Sequence, residues 1–110
     1  MRDDRTRLSD MLEAIERIRR HGDKGREAFD HDELVQIWIV HHLQILGEAA
    51  ARLSPALRAR AQVPWNSIVG MRNILVHAYF QIDREAVWRV VEHDLAPLEA
   101  EIRRLLADSA

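Results

Sequence analysis

Residues 31–53 read HDELVQIWIVHHLQILGEAAARL. On a helix turning about 100° per residue, Leu34, Val35, Trp38, Ile39, Leu43, Ile45, Leu46, Ala49 and Ala50 cover roughly half the circumference. Across from them, His41, Gln44 and Glu48 recur at spacings of three and four. A helix apolar over so wide an arc is buried on more than one side. The segment therefore predicts a long helix at the centre of a helical assembly.

The flanking sequence extends the same period. Leu8, Met11, Leu12, Ile15 and Ile18 form the stripe of a first helix, ending near His21 and Gly22, where glycine can close a helix. A loop containing Gly25, Asp30 and Asp32 follows. Beyond the central helix, Ser54 and Pro55 read as an N-cap with proline at N1, opening a short helix through about Ala61. Val63-Pro64-Trp65-Asn66 breaks the chain before a further helix to about Tyr79. Asp83 is the expected N-cap of a last stretch over 84–106, in which Pro97 opens a new segment or kinks the helix. The fold class is all-α, an up-and-down bundle of four to five helices, with residues 1–110 as one domain.

Composition bounds the rest. The 110 residues are 47% hydrophobic and 31% charged, which excludes disorder over most of the chain. The absence of cysteine excludes a disulfide scaffold, thiol catalysis and Cys-ligated zinc. The N-terminal MRDDRTRLSD is charged throughout, unlike a secretory signal, and no apolar run approaches the ~20 residues of a membrane helix. The expectation is a soluble, cytoplasmic domain. Net charge is −2, yet no carboxylate lies between Glu48 and Asp83, where even spacing would put about five or six. Arg52, Arg58, Arg60 and Arg72 occupy that window. Such a basic window can meet a polyanion, or it can be buried and exclude all charge.

The helix from Ile68 carries two apolar patches. Ile68, Met71, Ile74, Leu75 and Ala78 form one, and Val69, Val76 and Phe80 the other. In so short a chain the second patch is most simply covered by a second copy, so a homodimer is expected, with Val69, Val76 and Phe80 as contacts. The polar remainder is Arg72, Asn73 and His77. Asn73 and His77 share a face, while Arg72 lies about 140° from His77 on an ideal wheel.

That set suits RNA cleavage. An imidazole can take the proton of a ribose 2′-OH or supply one to the leaving 5′-oxygen. A guanidinium offers a planar fork to phosphate as charge builds in the transition state. Asn73 can orient the imidazole or bind a phosphate oxygen. The nucleophile belongs to the substrate, so neither metal nor cofactor is required. The six histidines form no metal-site pattern with carboxylates, so no zinc site is expected. Trp38, Trp65 and Trp88 are assigned to the core, His42 to a structural role, and His21, His31 and His93 to exposed positions. Arg52, Arg58 and Arg60 either track an RNA backbone or decorate a solvated short helix. Glu48, with His41 and Gln44, either lines a cleft or forms a solvated stripe or polar strut between helices.

Arg72-Asn73-Ile74-Leu75-Val76-His77-Ala78-Tyr79 resembles the R-x4-H-x-Y motif of HEPN-domain toxins of the HepT family. The resemblance extends, in the same order, through Ile45-Leu46-Gly47-Glu48-Ala49-Ala50, Val63-Pro64-Trp65, Ile68-Val69-Gly70-Met71, Val87-Trp88 and Asp94-Leu95-Ala96-Pro97-Leu98. It implies a HEPN-like bundle that dimerises and brings two R-x4-H motifs into one cleft. It implies a metal-independent endoribonuclease acting on RNA, transfer RNA first, by 2′-OH attack that leaves a 2′,3′-cyclic phosphate. It implies the toxin of a type VII-like toxin–antitoxin module, silenced when a minimal nucleotidyltransferase antitoxin transfers AMP from ATP to the motif tyrosine. Carried onto this chain, Arg72 and His77 are the catalytic pair, Asn73 supports them, and Tyr79 takes the AMP. An alternative is a non-catalytic subunit that holds substrate or nucleotide for a separately encoded nucleotidyltransferase.

Overall fold

The structure, a computed structural model, describes residues 2–77 and 83–108, without the side chains of residues 2 and 73–77. The chain folds as α1 (Arg2–Gly22), α2 (Arg26–His31), α3 (Glu33–Ala51), α4 (Pro55–Arg58), α5 (Trp65–His77), α6 (Arg84–Arg89), a π-turn (Val90–Asp94) and α7 (Leu95–Asp108). Among the described residues there is no strand, and the architecture is the all-α bundle expected from the sequence. The central element is α3, packed between α1 on one side and α5 on the other, while α1 also meets α7.

Local chemistry sets the boundaries. The Asp32 carboxylate accepts hydrogen bonds from the backbone N–H of Leu34 and Val35, satisfying first-turn donors of α3. Ser54 Oγ accepts from Leu57 N, with Pro55 at N1 of α4. That same hydroxyl donates to Asp4 Oδ2 at 2.6 Å, and Ser54 N donates to Asp4 Oδ1 at 2.8 Å. The start of α1 is thereby tied to the cap of α4, and the Ser54 bonds hold the Asp4 carboxyl below its ordinary range. Asp83 caps α6 through Ala86 N.

Two segments differ from the sequence reading. The expected loop before α3 contains the short helix α2, made possible by Gly25 at φ 95°, a left-handed conformation that L side chains rarely adopt. Phe29 of that helix is fully buried against Trp88, which tertiary packing supplies and local propensity does not. The last stretch, expected as one helix broken or kinked at Pro97, instead widens into the π-turn at Val90–Asp94, where Leu95 N donates to Val90 O. Pro97 has no N–H for the carbonyl four residues earlier, and the extra residue of a π-turn absorbs the misfit just before it.

The core joins Leu8, Met11, Ile15 and Ile18 of α1 to Ile39, Leu43, Leu46 and Ala50 of α3. Ile68 and Met71 of α5, and Leu95, Leu98, Ile102 and Leu105 of α7, complete it. Trp65 and Trp88 are buried as expected, and Trp38 is half-buried, its Nε1 donating to Arg17 O. No helix of the described residues is long and apolar enough to cross a membrane.

Candidate active site

The R-x4-H-x-Y segment begins on α5. Its backbone is helical through His77, so Arg72, Asn73 and His77 ride on one helix, with Asn73 and His77 about one turn apart. The side chains of Asn73 and His77, and the whole of Tyr79, lie outside the described residues. So do Phe80 and the side chain of Val76, two of the three expected dimer contacts. The third, Val69, is half-buried against the chain's own core.

Arg72 is held from α3. Its Nη1 donates to Glu48 Oε1 at 3.0 Å across 24 residues of sequence. Both side chains are partly solvated, Arg72 at 36% exposure and Glu48 at 51%. Glu48 is therefore a polar strut between α3 and α5 with the motif arginine as its partner, and it lines a cleft as well. Gly47 makes this contact possible. A Cβ placed on Gly47 would stand 3.1 Å from Ile68 O and 3.3 Å from Arg72 N, closer than side chains ordinarily approach backbone. A side chain here would require the backbone of α5 to give by a few tenths of an ångström.

His41, Gln44 and Glu48 do share one face, as the spacing predicts. With Arg7, Arg17 and Arg52 they line a cleft of about 590 Å³ between α1 and α3. His42, one residue on, turns inward and is buried. Its Nδ1–H donates to Trp38 O at 2.8 Å, and burial pushes its pKa below the ordinary imidazole value. His31 and His93 are exposed as expected, but His21 is half-buried with its ring edge-on to Trp38.

The arginines of the acid-free window divide. Arg52 and Arg60 are exposed. Arg58 turns back onto α3, where its Nη2 donates to Ala50 O and Ala51 O, two of the last carbonyls of that helix. This capping gives Arg58 a structural occupation that the sequence did not reveal. The Glu48–Arg72 pair was missed by the sequence reading, whose one pointer to it is that Glu48 is the last carboxylate before the acid-free window. Among the described residues, no group of three His, Asp or Glu side chains is disposed to hold a metal ion.

The fold is thus an all-α bundle in which α5 carries Arg72, the first residue of the R-x4-H-x-Y segment, as a partly solvated side chain. The family described as Ribonuclease HepT-like matches residues 11–105, and the chain belongs to it. One relative is "Putative RNase MJ1380" of Methanocaldococcus jannaschii, 33% identical over 103 residues, covering 92% of this chain and 94% of that protein. Another is "Probable ribonuclease HepT" of Thermococcus cleftensis, 32% identical over 100 residues, covering 89% and 91%. No solved structure matches the chain.

Proposed function

We propose that this chain is a metal-independent endoribonuclease and the toxin of a two-gene toxin–antitoxin module, with RNA, transfer RNA first, as substrate. The observation that carries the reading is Arg72. It opens the R-x4-H-x-Y segment, its guanidinium reaches the surface, and the family match spans it. The ribose 2′-oxygen attacks the adjacent phosphorus as His77 takes the 2′-OH proton. The bond from phosphorus to the 5′-oxygen breaks, and that oxygen takes up the proton His77 accepted, leaving a 2′,3′-cyclic phosphate and a 5′-OH. Arg72 neutralises charge building on the phosphate, and Asn73 orients the imidazole or a phosphate oxygen.

The active form is a homodimer that brings two motifs into one cleft. Support comes from α3, where Leu34 is 77% exposed, Ile37 52% and Ile45 37%. Exposed large apolar side chains along one helix favour a partner surface, and here the same helix carries Glu48 at the site. The partner of the module is a minimal nucleotidyltransferase antitoxin. The Tyr79 phenol oxygen attacks the α-phosphorus of ATP, pyrophosphate leaves, and the attached AMP places a phosphodiester charge two residues from His77, repelling RNA.

The deciding experiment is cleavage of a bulk tRNA pool by purified protein in EDTA, beside His77→Ala. Fragments with cyclic phosphate ends, absent from the variant, support the reading. No cleavage by protein whose Tyr79 is shown by mass to be free of AMP overturns it in favour of a binding subunit.

A further inference from the structure

The ion pair between α3 and α5 is poorly explained by stability. Half-exposed pairs of this kind contribute little to stability. Yet the backbone around it is specialised. Gly47 lets α3 approach the turn of α5 that carries Arg72, at 3.3 Å from a glycine Cβ position to Arg72 N, and Glu48 is the very next residue. Among the described residues, Arg72 is the one arginine of the acid-free window with an ion pair. The contact uses a single guanidinium nitrogen, Nη1, and a single carboxylate oxygen. Nε and Nη2 of Arg72 have no hydrogen-bond partner among the described residues.

We infer that Glu48 is a positioning residue of the ribonuclease site. It fixes the Arg72 guanidinium by one nitrogen, so that the rest of the fork is presented to an RNA phosphate. The inference rests on the ribonuclease reading above. A long arginine side chain has many rotamers, and freezing it before the substrate arrives removes that cost from the reaction. The arrangement has an opposing effect. A carboxylate 3.0 Å from the guanidinium also repels the incoming phosphate. Glu48 therefore weakens RNA binding while it speeds the chemical step, and substitutions should separate the two.

The test measures single-turnover cleavage and binding of a labelled RNA oligonucleotide for wild type, Glu48→Ala, Glu48→Gln, Arg72→Ala and the Glu48→Ala/Arg72→Ala double variant. Glu48 is half-exposed, so these chains should fold, which thermal melting checks. Glu48→Ala should lose about 10- to 100-fold in cleavage rate, the order expected for misplacing a catalytic group by about 1 Å, with RNA binding unchanged or tighter. Glu48→Gln keeps an oxygen that accepts from Nη1 and should restore most of the lost rate. The double variant should be no slower than Arg72→Ala alone, because Glu48 acts through Arg72. An unchanged rate in Glu48→Ala, or equal losses in the Ala and Gln variants, would overturn the positioning role while leaving the ribonuclease intact. Absence of cleavage by the wild-type chain would overturn the ribonuclease reading and this inference with it.

Discussion

The outward faces of α1 and α3 are built on opposite principles. On α1, charge is paired within the helix: Arg17 with Glu13 at 2.7 Å and Arg20 with Glu16 at 3.7 Å, each one turn apart. The far end of the chain repeats the pattern, with Arg103 on Glu99 and Arg104 on Asp108 in α7. Arg19 of α1 also pairs with Glu99 of α7, so the charges of these two faces are met by each other as well as within each helix. On α3 the outward positions hold Leu34, Ile37 and Ile45, and the ion pair found there reaches across to another helix. The contrast separates helices that end the molecule from one that leaves a face open beside the motif. A chain with ample charge to cover α3 has not placed it there.

The largest test of this contrast is at the Gly47 crossing. Gly47→Val should cost about 1–3 kcal/mol, because its side chain would crowd the Ile68 carbonyl and the Arg72 backbone, which yield less readily than a side chain. A denaturant melt reads the loss, and a cost below about 1 kcal/mol would mean that the two helices can part easily. Next in size is the open face. Leu34→Glu combined with Ile37→Glu should convert a dimer to a monomer in sedimentation while leaving the melting temperature of the monomer nearly unchanged, since both side chains already meet water. If the wild-type chain sediments as a monomer, the exposed stripe serves something other than a second copy.

A smaller effect belongs to His42 beneath that face. Burial lowers its folded pKa below the ordinary imidazole value of about 6.5. The unfolded chain then takes up a proton more readily than the folded one. Stability should fall as pH drops through about 6.5 and level off once folded His42 is also protonated. Replacing His42 by Gln should flatten the pH dependence of stability over that window, and an undiminished slope would place the proton uptake elsewhere. The smallest effect is expected on the charged face of α1. Glu13→Gln removes an exposed one-turn pair and should change stability by no more than about 0.5 kcal/mol.

Much of this was legible in the residues. The helical period exposed α1, α3, α5 and α7. Ser54-Pro55 and Asp83 marked their helix starts because capping is a local event, settled by a side chain and the backbone two or three residues on. The short helix α2 was not legible, because what holds it is Phe29 against Trp88, a contact between distant parts of the chain. The π-turn was half legible: Pro97 announced a disturbance, but its form depends on how α6 and α7 are held by their neighbours. At the site, the R-x4-H-x-Y spacing and the acid-free window singled out Arg72. Which carboxylate meets it could not be read from a wheel, because a wheel places residues around one helix and says nothing of its distance from the next.

By itself, then, the sequence determined the helical class and the main helix starts, since periodicity and caps act over a few residues, while the family came from the resemblance of its motifs. The tertiary structure decided which apolar positions are core and which are open. Leu43 and Leu34 have similar side chains on one helix, yet one is sealed and the other faces water. It also decided that Gly47 is a notch, that Glu48 is the partner of Arg72 and that Arg58 is a cap. Each of these depends on the separation and crossing of two helices, which is fixed only when the whole core packs.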